Sequence, residues 1–354
     1  MTGDVRESDS REARTTPGLG WPGERVAVSR GLGWPRQGTA AVPRPASEHE
    51  QATVDRSEQA PDASTPLASV VERELAARIR ASRRDPLPRP AQPRVLVVAN
   101  QKGGVGKTTT SVNVAAALAL HGLRVLVIDL DPQGNASTAL DVDHSEGSAS
   151  IYEALIESVP LRELVVPGPF ERLSVVPASI DLAGAEIELV PVAQRESRLR
   201  QSLVAYLAAE QERQQPVDYV LIDCPPSLGL LTLNALVAAN EMLIPIQCEY
   251  YALEGLGQLV RNVSLVQQHL NPGLQLSTVL LTMMDARTRL SADVAAEVRG
   301  HFGDRVLRTV IPRSVRLSEA PSHRQTVLAY DASSPGALSY LEAAREIALA
   351  PSRL

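Results

Sequence analysis

The chain has 354 residues, of which 44% are apolar but only 3% aromatic, and its formal net charge is −6. This charge excludes a wholly basic coat for nucleic acid, so any such surface has to be a local patch. No apolar run reaches the roughly 18 residues that a membrane span requires, and residues 1–40 lack the apolar stretch of a signal peptide. We therefore expect a cytoplasmic protein.

The first part of the chain differs in composition from the rest. Residues 1–93 hold 11 of the 26 prolines, which predicts a mostly disordered tail. Within it, apolar side chains recur at helical spacing over residues 65–83 and indicate a short amphipathic helix. Two Gly-Leu-Gly-Trp-Pro segments, at residues 18–22 and 31–35, contain both tryptophans. Exposed tryptophans can anchor a polar (cell-pole) or scaffold partner. The alternatives are a chance low-complexity duplication and an over-extended start site.

From residue 94 onward, short apolar strands alternate with helices. The expected strands are Arg94–Ala99, Arg124–Asp129, Leu173–Val176, Tyr219–Ile222, Met242–Ile246, Leu276–Met283 and Val306–Ile311. The expected helices are Thr108–His121, Arg195–Arg213, Leu230–Ala239, Leu253–Leu270, Ala292–His301 and Pro335–Ala348. This alternation predicts an α/β domain over residues 94–354, with a mostly parallel twisted sheet covered by helices on both faces. The loops that follow the strands should meet at one edge, where ligands bind.

A glycine-rich segment, residues 100–109 (NQKGGVGKTT), joins the first strand to the first helix. Glycines allow consecutive N–H groups to face phosphate oxygens, and the helix adds its positive end. Lys107 would reach the β- and γ-phosphates of ATP, and the Thr108 hydroxyl would ligate Mg²⁺. The standard pattern has glycine where Gln101 stands, and an additional lysine, Lys102, follows. The predicted nucleotide-binding residues are Gly103, Gly104, Val105, Gly106, Lys107, Thr108 and Thr109. The alternative is an ordinary glycine-rich turn ahead of a helix.

Carboxylates follow two other predicted strands. Asp129 and Asp131 end the second strand, where a carboxylate can orient the attacking water; the alternative is a capped turn. Asp223 ends a third apolar strand in the manner of a Walker B aspartate, which holds Mg²⁺ through water. Both lysines of the chain, Lys102 and Lys107, lie in the glycine-rich segment, and the other basic residues among the 35 are arginines.

Several blocks carry a specific resemblance: KGGVGKTT at residues 102–109, DLDPQGN at 129–135, LIDCPPSLGLLTLNAL at 221–236 and IPRSVRLSEAPSH at 311–323. Residues from about 94 to 350 resemble the ParA/Soj family of partitioning ATPases in the deviant Walker A group of P-loop NTPases, and the tail resembles the extensions of actinobacterial members. One departure is local. The family pattern continues Ser-His-Gly-Lys-Pro, whereas this chain has Arg324, Gln325 and Thr326 in the last three places, so any role of the lysine is expected to pass to Arg324.

The resemblance implies residue roles. Lys102 would cross an ATP-sandwich homodimer to the partner's nucleotide, and Asp131 would position the hydrolytic water, with Lys107 completing the catalytic set. Asp223 would bind Mg²⁺ together with Thr108. The remaining implied contacts are Pro312 near the adenine, and Arg287 and Arg316 on the DNA backbone.

The resemblance also implies a function: an ATP-dependent chromosome- or plasmid-partitioning ATPase, located in the cytoplasm on the nucleoid. Its ATP-bound dimer would bind DNA non-specifically, and a ParB-type partner would stimulate weak hydrolysis and release it. Residues 285–324 support this with eight arginines against five acids; the alternative for these arginines is ordinary solvated helix faces. The first alternative is a MinD-like membrane-positioning ATPase, which needs a basic amphipathic C-terminal helix. The second is an iron–sulfur reductase, for which Cys224 and Cys248 do not match.

Overall fold

Eight strands form one sheet in the computed structural model of the protein, which describes residues 85–249 and 256–350. The strands are β1 Arg94–Val98, β2 Val125–Asp129, β3 Val166–Pro167, β4 Leu173–Val176, β5 Tyr219–Asp223, β6 Glu241–Gln247, β7 Gln275–Met284 and β8 Val306–Pro312. Their order is β3-β4-β2-β5-β1-β6-β7-β8. Only β3 runs antiparallel to its neighbour, so the sheet is mostly parallel, as predicted.

Helices cover both faces of this sheet. They are α1 Lys107–Leu120, α2 Asn135–Ala139, α3 Ile151–Ile156, α4 Leu161–Leu164, α5 Leu182–Glu188, α6 Arg198–Glu212, α7 Leu230–Ala238, α8 Leu256–His269, α9 Arg289–Phe302, α10 Val315–Glu319, α11 Val327–Tyr330 and α12 Pro335–Leu349. Short 3₁₀ turns at Arg195–Ser197, Gly303–Arg305 and Ala320–His323 connect them. Among the helices of the described residues, none has the length and apolar character to cross a membrane.

The strands are apolar throughout because both faces of the sheet are buried. In β1, Val95 and Val97 face one core cluster, whereas Leu96 and Val98 face the other. The first cluster packs under α3–α9, and the second under α1, α2, α11 and α12. This two-sided burial explains the continuous aliphatic runs of the sequence and its low aromatic content.

All seven strands expected from the sequence are present, with ends that shift by one residue or less. The predicted long helices are also present, although residues 195–197 form a 3₁₀ turn rather than the start of α6. The first three residues of the helix expected at 253–270 lie outside the described residues. The same is true of the tryptophan segments and the helix expected at 65–83.

The end of the proline-rich linker packs against the domain. The Leu87 side chain is buried in the second core cluster, and its N–H donates to the His121 carbonyl over 3.3 Å. Arg89 lies 3.9 Å from the carboxylate of Asp218. The chain thus enters the domain along the edge of the sheet opposite to the glycine-rich loop, which follows the carboxyl end of β1.

Candidate nucleotide-binding site

The glycine-rich loop follows β1 and ends at α1. Gly104 and Gly106 have φ values of 71° and 89°, a left-handed conformation that glycine adopts without steric cost. Two bonds fix the loop on neighbouring strands: the Val105 carbonyl accepts from Thr282 Oγ1 of β7 over 2.8 Å, and Asn100 Nδ2 donates to the Pro245 carbonyl of β6 over 2.8 Å. The loop therefore has a defined shape that its neighbours hold.

Lys107, at the first position of α1, is buried. Its Nζ lies 3.4 Å from the Lys102 carbonyl, inside the loop. Burial lowers the pKa of Lys107, and the nearby carboxylates of Asp223 and Asp131 partly oppose this effect. An ammonium that has lost water in this way gains most from an anionic ligand, so the site favours phosphate at this point.

Asp223 ends β5 with its side chain fully buried. Its two oxygens accept from Thr108 Oγ1 over 2.7 Å and from Ser111 Oγ over 2.8 Å. Burial raises the pKa of Asp223 to about 7, and the neighbouring Asp129 adds to the increase. A carboxylate and a hydroxyl are the oxygen ligands that Mg²⁺ prefers, so the residues present fit this ion: Thr108 would bind it, with Asp223 behind.

The two aspartates at the end of β2, Asp129 and Asp131, lie in different environments. Asp129 is fully buried and accepts from the N–H and Oγ of Ser137, each over 2.8 Å, and from the Asp131 N–H over 3.2 Å. Asp131 lies at the wall of a cavity, where its Oδ1 accepts from the Gln133 N–H over 3.0 Å. Asp129 therefore holds the loop, and Asp131 is the carboxylate that faces the cavity.

The glycine-rich loop opens into a cavity of about 460 Å³, a size typical of small-ligand sites. Gly103, Gly104, Gly106, Lys107, Thr108, Thr109 and Asp131 line it, together with residues that the sequence did not indicate, such as Asn113, Met283, Pro321 and Gln325. Val105 is buried behind the loop. The cavity thus brings most of the predicted nucleotide-binding residues together.

Pro312 is not among the residues that line this cavity. It ends β8 and pairs with Met284 of β7. The wall is instead formed by residues 317–327, the segment that follows. The adenine contact assigned to Pro312 stays a prediction.

Lys102 lies at the start of the loop, with 36% of its side chain exposed. Its Nζ is 3.7 Å from Glu249 Oε2, at the carboxyl end of β6. Glu249 also accepts from Gln247 Nε2 over 2.6 Å. In the single chain, the ammonium of Lys102 therefore has an acidic neighbour, which the sequence did not indicate.

The two arginines predicted to contact DNA are exposed, and both are paired with acids. Arg287 Nη2 lies 2.9 Å from Asp285 Oδ2, and these bonds lower the pKa of Asp285 to about 2. Arg316 Nη1 lies 3.1 Å from Glu319 Oε2, and its Nε lies 3.6 Å from Asp331 Oδ2. Both guanidinium groups are accessible, but each would exchange a carboxylate for a phosphate on binding.

The fold and this cavity define a P-loop nucleotide-binding protein. Residues 93–276 match the AAA domain family. The sporulation initiation inhibitor protein Soj of Bacillus subtilis is 52% identical over 255 residues, which cover 72% of this chain and 98% of Soj. The chromosome partitioning protein ParA of Caulobacter vibrioides is 50% identical over 254 residues, which cover 72% and 93%. The chain belongs to the Soj/ParA family of chromosome-partitioning ATPases.

Solved structures share this fold. Cobyrinic acid a,c-diamide synthase from Mycobacterium smegmatis with bound ADP and magnesium is 40% identical, with a TM-score of 0.62 over 72% of this chain and 94% of that one. MinD from Pyrococcus horikoshii, complexed with Mg-ADP, is 22% identical with a TM-score of 0.56 over 72% and 96%, and shares the fold. The predicted fold is confirmed, and the prediction of an ATPase that uses ATP and Mg²⁺ is confirmed at the level of the family.

Proposed function

We propose that this chain is an ATP-dependent chromosome-partitioning ATPase. Its ATP-bound homodimer binds DNA non-specifically, and a ParB-type partner ends this state by stimulating hydrolysis. The observation that carries the proposal is one cavity in which Lys107, Thr108 and Asp131 face the same space, with Asp223 behind Thr108 and Lys102 at the start of the loop. Membership of the Soj/ParA family indicates the process, chromosome partitioning, and the residues of the cavity indicate the reaction, ATP hydrolysis.

Each residue of the cavity has a distinct task. The loop N–H groups and the Lys107 ammonium hold the phosphates, and Thr108 with Asp223 holds Mg²⁺, which neutralises charge on the phosphate oxygens when bound. The Asp131 carboxylate orients the attacking water. No arginine occurs among the described residues that line the cavity. Since an arginine finger contributes about 10³–10⁵ in rate, hydrolysis should be slow until a partner assists.

The homodimer would engage Lys102. Its ammonium lies outside the cavity of its own chain and is partly exposed, so it is free to reach a nucleotide held by a second copy. Such a contact would replace the ion pair with Glu249. ATP binding would then shift the population from single chains to dimers, because the triphosphate binds the dimer better.

DNA binding would use Arg287 and Arg316. The net charge of −6 opposes association with DNA, so a single copy presents a weak, local basic surface. Two copies double this surface without any new contact, which makes retention on DNA depend on ATP. Because contacts to phosphate carry no sequence information, binding should be non-specific and sensitive to salt.

The MinD-like alternative would require a free apolar face on the C-terminal helix. In α12, that face is buried in the second core cluster, including Tyr340, Leu341 and Ile347. This packing favours DNA over a membrane as the surface that the protein binds. The partner of the N-terminal tail concerns residues outside the described ranges and stays a prediction.

The test is retention of the full chain on non-specific DNA with ATP, ADP or no nucleotide. We expect retention with ATP alone, and loss of it in Lys102→Ala. Arg316→Ala should weaken retention alike on all sequences and reduce the salt slope by about 1 for each copy in the bound dimer. Arg200→Ala, which removes an exposed arginine of α6, is the matched control. Equal retention in all three nucleotide conditions would refute the proposal.

A second measurement isolates the dimer. Asp131→Ala should bind ATP without hydrolysing it, so light scattering should show a dimer that persists with ATP and a single chain with ADP. A single chain under both conditions would remove the dimer from the scheme, whatever the result with DNA.

A further inference from the structure

Two non-glycine residues with left-handed backbones face each other beside the cavity. Asp141 has a φ of 52° and Arg324 a φ of 55°. Their side chains form an ion pair, with Arg324 Nε 2.5 Å from Asp141 Oδ1, although 183 residues separate them in the chain. Aspartate tolerates this conformation better than arginine does. Residues held in such conformations persist only where the surroundings fix them, and they cluster at functional sites.

The two partners belong to two adjacent walls of the cavity, because the 3₁₀ turn Ala320–His323 packs against α2. Asp141 follows α2, whose Thr138 and Ala139 line one wall. Arg324 ends the 3₁₀ turn Ala320–His323, and the flanking Pro321 and Gln325 line the other. Arg324 has a left-handed backbone at a position where the family pattern has glycine, and its side chain extends to Asp141.

Other hydrogen bonds hold each wall to the rest of the domain. The Val327 N–H donates to Asn113 Oδ1 of α1 over 2.9 Å, which holds the wall that contains Pro321. The bonds from Ser137 to Asp129 hold α2 against β2. The Asp141–Arg324 pair is thus a direct polar link between the two walls. One of these walls, α2, begins just after the loop of Asp131.

We propose that Asp141 and Arg324 are positioning residues that form a clasp beside the nucleotide cavity. The clasp holds the wall of residues 320–327 against α2, slows the release of bound nucleotide and keeps the Asp131 loop in place. Neither side chain lines the cavity. The proposal rests on the assignment of this cavity as the nucleotide site.

The size of the effect follows from the exposure of the pair. The two side chains are 53% and 62% exposed, and pairs of this kind contribute modestly. Breaking the clasp should therefore accelerate nucleotide release by about two- to fivefold. High salt should reduce the difference, because salt screens exposed charges.

The experiment is stopped-flow release of a fluorescent ATP analogue and of a fluorescent ADP analogue from the full chain, chased with unlabelled nucleotide. Asp141→Asn, Arg324→Gln and the double variant should all release nucleotide faster, and to the same extent. The charge-swapped double variant Asp141→Arg with Arg324→Asp should recover part of the slow release. Arg195→Gln breaks a partly exposed pair with Glu196 outside the cavity and should not change release.

Arg324→Gly distinguishes a positioning role from a structural one. It removes the ion pair and also relieves the left-handed strain, so thermal unfolding should occur at the same or a higher temperature while release is faster. Release at the wild-type rate in the two single variants, with wild type binding nucleotide normally, would overturn the clasp alone. Failure of wild type to bind either analogue, or binding that Lys107→Ala leaves unchanged, would overturn the site and the clasp with it.

Discussion

The ion pair between Lys102 and Glu249 should oppose dimerisation, so Glu249→Gln should favour the dimer. The two charged atoms are 3.7 Å apart, and the side chains are 36% and 46% exposed. An exposed pair of this kind is worth about 0.2–1 kcal/mol. A symmetric dimer would break two such pairs, one in each copy, so the substitution should stabilise the dimer by about 0.4–2 kcal/mol. This corresponds to a dimerisation constant that is about two- to thirtyfold higher.

The assay is sedimentation velocity with ATP over a range of protein concentrations, in the Asp131→Ala background so that hydrolysis does not deplete the dimer. Glu249→Gln also removes negative charge near a triphosphate, and this effect has to be separated from the release of Lys102. Repeating the substitution with Lys102→Ala makes that separation, because the part of the effect that depends on Lys102 then disappears. If Glu249→Gln left the dimerisation constant unchanged in the chain that retains Lys102, the reasoning would be refuted.

The remaining predictions concern buried charges. Arg94→Ala should lower the free energy of unfolding by about 3–5 kcal/mol in urea denaturation, because it leaves Glu241, now bonded over 2.6 and 2.7 Å, as an unpaired buried charge; replacing both residues by apolar ones should restore most of the loss. Lys107→Arg should abolish nucleotide binding in calorimetry without unfolding the protein, since a guanidinium does not fit the buried position of the ammonium. The pKa of Asp223 is raised in the folded state, so its contribution to the stability of the nucleotide-free protein is lost as pH rises through about 7. Asp223→Asn should accordingly stabilise the nucleotide-free protein at pH 8 but not at pH 4, as thermal unfolding at the two pH values would show; equal effects would contradict it.

Strong periodicity made most of the sheet predictable. Strands such as β1 and β5 are buried on both faces, and a run of aliphatic residues between polar turns marks them without ambiguity. The β3 strand was missed because it has two residues and contains Pro167. Helices α2–α5, α10 and α11 have four to seven residues, too few for a period of about 3.6 to be visible.

The phosphate-binding part of the site was predictable because it is local. The glycines, Lys107 and Thr108 lie within six consecutive residues, and their order along the sequence indicates phosphate binding. The rest depends on the tertiary structure. Glu249 meets Lys102 through the pairing of β6 with β1, and Asp141 meets Arg324 across 183 residues. The structural role of Asp129 had one signal, its place two residues before Asp131 at the end of a buried strand, but this spacing alone did not show which carboxylate faces a ligand.

The bond between the Val105 carbonyl and Thr282 has a consequence for communication within one subunit. Thr282 lies two residues before the end of β7, and Arg287 follows in the next loop. A rearrangement of the phosphate loop would therefore be transmitted through a short stretch of backbone to Arg287, which is proposed to contact DNA. Each subunit would then have its own connection from the nucleotide to Arg287, and this connection would act in addition to the doubling of the basic surface in the dimer.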